Sequence, residues 1–443
     1  MDEMNGQLQN PAQANPAPPE PPKKQKKKHG FWFGFFTGAV LMVLLGAVIS
    51  GFVVFSVLRE LDILDAGAAG TEGEITVENV NAEPNPTDLD YDRINGKIRL
   101  LQKVISKNYL FDEDTTAVEN SIYEGVLEGL GDPYSEYYTE EEYAKLNEDS
   151  SGTYSGIGAL LQQNPDTGIC TIIKVFKGSP AEEAGLKNDD ILYKVDGHEM
   201  TGEDLDYFVS TYIRGEEGTN VEITVLRGEK LEELKMTVTR RHIDVPTVEY
   251  EMKADDVGYI QISEFELVTS AQFKEAVEAL QAQGMKQLVI DLRNNPGGIV
   301  QVCVEMLDYM LPDGLLVYTA GRSGVGDKYY SEDGHQVDIP TVILVNGNSA
   351  SCSEIFAGAF KDFGRAKLVG TQTFGKGIVQ FVIPLGDGSA VKVTTQHYYT
   401  PNGFDLHGTG IAPDVEIKAE EGDVMNGEKD AQLEKALEVV KAQ

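Results

Sequence analysis

Val342-Ile343-Leu344-Val345-Asn346-Gly347-Asn348-Ser349-Ala350-Ser351-Cys352-Ser353-Glu354-Ile355 reads as a buried strand, a tight polar turn and the opening of a helix. Four successive branched aliphatic residues without polar alternation describe a strand covered on both faces. A serine at the strand-to-helix junction projects into a cleft, and the unsatisfied N–H groups of the first helical turn face the place where an oxyanion would form. Three serines compete for that place: Ser353 falls inside the helix and Ser349 before the turn, so geometry prefers Ser351 without settling it. Further on, Thr373-Phe374-Gly375-Lys376-Gly377 sets a lysine between two glycines. A serine hydroxyl is a weak nucleophile until a base takes its proton, and lysine is such a base only where burial disfavours its ammonium form. Ser351 and Lys376 are therefore the candidate dyad.

Working outward, strands and helices alternate from Val257. Gly258 to Ile262 and Leu288 to Leu292 read as strands, Ala271 to Gln283 and Val302 to Met310 as helices, and Val379 to Ile383 and Ala390 to Thr395 as later strands. That alternation predicts an α/β core with a mostly parallel sheet. The turn Asn295-Pro296-Gly297-Gly298 follows a buried strand and offers a second oxyanion donor, because such sheets place their sites at strand ends.

Upstream, from Ser155 to Arg240, the texture is of short strands: Ile169 to Val175, Ile191 to Val195 and Val221 to Leu226. Here Gly156-Ile157-Gly158-Ala159-Leu160 and Gly178-Ser179-Pro180-Ala181-Glu182-Glu183-Ala184-Gly185-Leu186 together resemble a PDZ domain of the circularly permuted kind found in bacterial proteases. The resemblance implies that Gly156, Ile157 and Gly158 offer backbone N–H groups to a peptide's C-terminal carboxylate. Ala159, Leu160 and Leu161 would then pair with its backbone.

The larger likeness is to the C-terminal processing peptidases, or tail-specific proteases. It rests on Ser349 to Ile355, on Gly370, Thr373 to Gly377 and Gln380, on Gly131-Asp132-Pro133-Tyr134-Ser135, on Asp291 to Gly298, and on Tyr399-Thr400-Pro401-Asn402-Gly403 with Gly410-Ile411-Ala412-Pro413-Asp414. It implies a serine endopeptidase that cuts proteins near free C-termini with Ser351 as nucleophile and Lys376 as base. Gln380 would orient the amine, and Cys352 with Gly297 or Gly298 would hold the oxyanion. Cys352 stands where the family mostly has alanine. A neighbour of Ser351 at a helix start points about 100° away, so the thiol reads as a small buried hydrophobe. Arg214 is expected to bridge the PDZ segment to the peptidase core as a regulatory contact, its alternative being an ordinary surface arginine. The histidines lie in no triad context, which sets aside a trypsin-like mechanism. The rival reading is a non-catalytic, membrane-anchored PDZ scaffold on a peptidase-like fold.

The remainder concerns placement. Residues 1–30 read as a disordered cytoplasmic tail ending in a lysine cluster, 31–58 as an uncharged transmembrane helix, and 59–90 as a linker. Lysines before the span and acidic residues after it place the catalytic part outside the cell membrane. A cleaved signal peptide is the alternative. Residues 91–150 read as a helical region and possible dimer element, 151–241 as the PDZ domain, 242–420 as the peptidase core and 421–443 as a C-terminal helical segment. A net charge of −35 argues against nucleic acid as a partner. Cys170, Cys303 and Cys352 lack metal-ligand spacing, so neither a metal nor another cofactor is expected.

Overall fold

The structure, a computed structural model, describes residues 89–253, 256–332, 334–420, 423–425, 427 and 429–443. The expected tail, membrane helix and nearly all of the linker lie outside these residues. Among the described residues no helix is long and apolar enough to cross a membrane.

The centre is a six-stranded sheet. Its strands run Val248–Lys253, Val257–Ile262, Gln287–Asp291, Thr341–Val345, Ala366–Gly370 and Val415–Glu416, and only the first pairs antiparallel. All five residues of Thr341–Val345 are buried, as its unbroken aliphatic run requires. One face is covered by the helices Thr269–Ala282, Val300–Met310 and Cys352–Asp362, which bring Phe273, Leu280, Met306, Leu307, Phe356 and Phe360 into a single core. The other face is covered by the C-terminal helix Ala431–Lys441 through Leu433, Ala436 and Val440. The last helix is thus a layer of the core and not an appended segment.

A second, antiparallel sheet extends the core beyond what a βα alternation predicts. It consists of Glu136–Tyr138, Ala390–Tyr399, Gly314–Gly321, Gly324–Ser331 and Ile378–Pro384. Its first strand comes from before the PDZ segment and pairs Glu136 with Lys392.

The small β-rich unit holds its own core of Ile172, Leu192, Phe208, Val221, Ile223 and Val225. Its main sheet runs from Ala159–Gln163 at one edge, through Cys170–Val175, Ile191–Val195 and Asn220–Arg227, to Glu232–Thr239. A two-stranded stem, Thr153–Gly156 with Arg241–Asp244, carries the chain in and out.

The helices Tyr91–Asn108 and Thr115–Glu128 bury no residue. Leu101, Val104, Leu110, Phe111, Val126 and Leu130 are exposed, so these helices do not pack into a core within the chain. A third helix, Glu140–Ser150, opens with a capping box between Thr139 and Glu142 and follows no apolar period in the sequence.

Buried charge ties the last helix to the catalytic face. Arg293, 4% exposed, donates to Asp291 and, at 2.9 and 2.8 Å, to both carboxylate oxygens of Asp430, which caps that helix. Tyr259 donates to Asp291 at 2.7 Å. Replacing Asp430 by Ala leaves the guanidinium half-compensated in a dry site, and we expect a loss of about 3 kcal/mol. The check is a lower urea midpoint at an unchanged slope in chemical unfolding.

Candidate active site

Ser351 caps the helix Cys352–Asp362 with φ 53° and ψ −116°, a backbone conformation that L-residues rarely adopt. Holding it costs roughly 1–3 kcal/mol, so the surroundings must over-determine it. They do. The Asn295 carbonyl accepts from Ala350 N–H at 3.0 Å and from Ser353 Oγ at 2.9 Å, and the Leu292 carbonyl accepts from Ser349 Oγ at 2.7 Å. The same bonds sort the three serines: Ser349 and Ser353 spend their hydroxyls on backbone carbonyls, and Ser351 does neither.

Glu354, fully buried one helical turn later, connects the serine to the lysine. Its Oε2 accepts from Ser351 N–H at 3.1 Å and from Lys376 N–H at 2.8 Å. Its Oε1 accepts from Gly375 N–H at 2.8 Å and from Thr373 Oγ1. On the other side the Tyr398 hydroxyl lies against the carbonyls of Ser351, at 3.0 Å, and of Lys376. The two backbones are clamped together from both faces. Burial raises the Glu354 pKa, and four hydrogen bonds to its oxygens offset this only in part. Sequence reasoning singled out neither Glu354 nor Tyr398; the signal for the former was its place three residues after a helix-capping serine.

Lys376 is 0% exposed. Burial, followed by the charge of Lys392, lowers its pKa from 10.5 to about 7. The ring of Tyr134, from the Gly131 to Ser135 segment, lies 4.6 Å from its Nζ. The flanking glycines are needed for close approach: a Cβ on Gly375 would come 2.8 Å from Gly410 N, and one on Gly377 2.7 Å from His407 N. Gln380 is fully buried; its Nε2 donates to Thr394 Oγ1 at 3.2 Å, and its Oε1 has no hydrogen-bond partner among the described residues.

The glycine turn lies against the nucleophile. A Cβ on Gly297, whose φ is 111°, would stand 2.7 Å from Ser351 Cβ and 2.9 Å from Cys352 N. The Gly297 N–H, however, already donates to Asn295 Oδ1 at 2.8 Å. Of the two glycines expected at an oxyanion, Gly297 thus has its N–H engaged by Asn295, and its missing side chain leaves room for Ser351. Cys352 is buried and its thiol donates to the Gly298 carbonyl at 3.0 Å, on the peptide plane that follows the one carrying the Gly298 N–H. A cavity of about 60 Å³ is lined by Val300, Ile355, Val379, Phe381 and Tyr398 among others.

In the β-rich unit the strand Ala159–Gln163 is an edge strand, with one side paired to Cys170–Val175 and the other open. Ala159, Leu160 and Ile157 line a cavity of about 350 Å³ together with Phe176, Leu205 and Val209. At its start the Tyr154 hydroxyl faces the amides of Gly158 and Ala159, while Gly156 is paired to Arg241. Arg214 lies over the Tyr154 ring at 5.0 Å and pairs with Glu148 at 3.2 Å and Asp149 at 3.7 Å. The expected bridge from Arg214 to the peptidase core is therefore corrected: both its acidic partners belong to the helix Glu140–Ser150, whose C-terminal turn comes up against the groove. The core contributes Glu264 and Glu266 to the same cavity, and burial raises the pKa of both. Between them Phe265 donates its N–H to the Gly297 carbonyl at 2.8 Å and accepts from Ile299 N–H at 2.7 Å. The groove wall and the oxyanion turn are thus joined by two backbone hydrogen bonds.

No group of residues that would hold a metal ion is found among the described residues.

Gly297→Ala is expected to lower kcat by roughly 10²-fold or more, because its methyl group intrudes on both Ser351 and the Cys352 amide. Steady-state kinetics set against the thermal midpoint would separate this from a general loss of stability.

Residues 256–417 match peptidase family S41, and residues 155–238 match a PDZ domain. A probable CtpA-like serine protease of Staphylococcus aureus (strain COL) is 39% identical over 324 residues, 72% of this chain and 64% of that protein. The chain thus spans a little under two thirds of the length of such curated relatives. Among solved structures, a photosystem II D1 C-terminal processing protease is 30% identical, covering 72% of this chain and 86% of that one, with a TM-score of 0.44. A PDZ domain of a carboxy-terminal protease from Vibrio cholerae, solved with a peptide, is 28% identical, covering 20% of this chain and 97% of that one, with a TM-score of 0.19. With the PDZ unit, the serine turn and the lysine loop following in this order, the chain belongs to peptidase family S41.

Proposed function

We propose that the protein is a membrane-anchored serine endopeptidase that cuts polypeptides near their C-termini with a Ser351–Lys376 dyad. The observation that carries this reading is the single carboxylate oxygen of Glu354 bonded to the backbone N–H of both residues, with the lysine side chain wholly buried.

Neutral Lys376 takes the proton from Ser351 Oγ as that oxygen attacks a peptide carbonyl. The N–H groups of Cys352 and Gly298 meet the charge that develops on the carbonyl oxygen. Lysine then protonates the leaving amine, and in the second half it takes a proton from the water that attacks the acyl-enzyme. The buried, unpartnered Oε1 of Gln380 supports a role as the acceptor that orients the amine. The open edge of Ala159–Gln163 and its apolar cavity support capture of a substrate's C-terminal segment as an added strand. The exposed apolar residues of the two N-terminal helices support a homodimer through them, and the uncharged run 31–58 supports an anchor with the catalytic part outside the cell membrane.

Ser351→Ala and Lys376→Ala are each expected to lower turnover of an unfolded protein with an apolar C-terminus by roughly 10⁴-fold or more. Full activity in either variant refutes the dyad. The base works only unprotonated, so kcat/KM should rise with pH through a midpoint near the Lys376 value of about 7 and level off above it. A profile without that acid limb counts against lysine as the base.

Deleting residues 31–58 should release the protein from the membrane fraction while leaving turnover intact. Continued sedimentation with membranes would overturn the anchor.

A further inference from the structure

A second lysine is buried beside the first, and the dyad chemistry makes no use of it. Lys392 lies on the strand Ala390–Tyr399 with its side chain 1% exposed. Its ammonium donates to Glu136 Oε2 at 2.7 Å and to the Tyr138 hydroxyl at 2.8 Å, and that hydroxyl donates to the same Glu136 oxygen. The Tyr138 ring is 5.4 Å from Lys392 Nζ, as the Tyr134 ring is 4.6 Å from Lys376 Nζ. One short segment, Tyr134 to Tyr138, therefore walls both amines. Two residues further along the strand, Thr394 accepts from Gln380 and donates its N–H to Ser135 Oγ at 3.1 Å. Lys392 and Lys376 are thus both buried against the segment Tyr134 to Tyr138, with the bonded pair Gln380 and Thr394 on the neighbouring strands.

Two ammonium groups buried against one segment repel each other, and a carboxylate bonded to one of them favours its charged form. Lys392 holds the Glu136 carboxylate. We propose that Lys392 is a positioning residue for the reaction, an ammonium pinned by Glu136 and Tyr138 whose charge keeps Lys376 in its proton-accepting form. The inference rests on the dyad reading above. For Lys376, burial is the largest cause of the lowered pKa and Lys392 the next, while Cys352, Glu136 and Asp132 act in the opposite sense. Burial lowers Lys392 as well, but Glu136 and Asp132 work to hold its proton. Tyr134, whose ring faces Lys376, is itself pushed up by burial, Asp132 and Glu354, and stays neutral.

The test is the pH profile of kcat/KM on an unfolded protein substrate, measured with the full-length chain. Lys392→Met should move the acid limb upward by about one pH unit and recover activity at alkaline pH. Lys392→Arg keeps the charge and should leave the limb near its wild-type position. Should Lys392→Met not fold, the double variant Glu136→Gln/Lys392→Met removes both charges together. Its limb should move in the same direction but less far, because Glu136 opposes Lys392. An unmoved limb in the folded single or double variant overturns the proposal, as does a pH-independent loss shared by the Met and Arg variants. A wild-type profile with no acid limb, or an active Lys376→Ala, instead removes the dyad and this inference with it.

Discussion

One carboxylate holds the candidate active site together. Glu354 begins as a helix-cap partner for Ser351, but its second oxygen and its neighbours reach across to the loop of Thr373, Gly375 and Lys376. A buried anion with so many donors is satisfied without a counter-cation, the condition under which burial of charge is tolerated. Backbone clamping also explains how Ser351 keeps a positive φ: the turn is bonded before it and behind it, so relaxation would break several contacts at once.

The electrostatics follow from burial and not from a histidine relay. A lysine that is wholly enclosed loses the solvation that makes ammonium stable, and a flanking cation extends the effect. The enclosure comes from distant parts of the chain. Gly131 to Tyr138 supplies Tyr134 and a strand, the loop of His407 to Gly410 packs on the glycines beside the lysine, and Tyr398 lies against its carbonyl.

Much of this was legible in the sequence, because local chemistry fixes it. Aliphatic runs located the parallel strands Val257–Ile262, Gln287–Asp291 and Thr341–Val345 to within a residue but not Ala366–Gly370 or Val415–Glu416, and the glycines around Lys376 announced close backbone approach. The choice among Ser349, Ser351 and Ser353 was not legible, since it depends on carbonyls of Leu292 and Asn295 from another strand end. Nor were the antiparallel sheet, whose first strand pairs across most of the chain, and the partners of Arg214, which lie on a helix with no apolar period. Gly297 and Gly298 looked interchangeable until Asn295 Oδ1 was seen to occupy one of their two amides.

The long reach of the strand Glu136–Tyr138 bears on how the enzyme is born. Lys392 meets Tyr138 across 254 residues, so the wall behind Lys376 closes only once nearly the whole polypeptide has left the ribosome. Closing so distant a contact is slow and entropically costly, and it comes after the local helices and hairpins have formed. Until that wall closes, Lys376 lacks the Tyr134 ring and the strand that enclose it in the finished fold. Late pairing of one edge strand thereby delays the enclosure of both buried lysines until the chain is nearly complete.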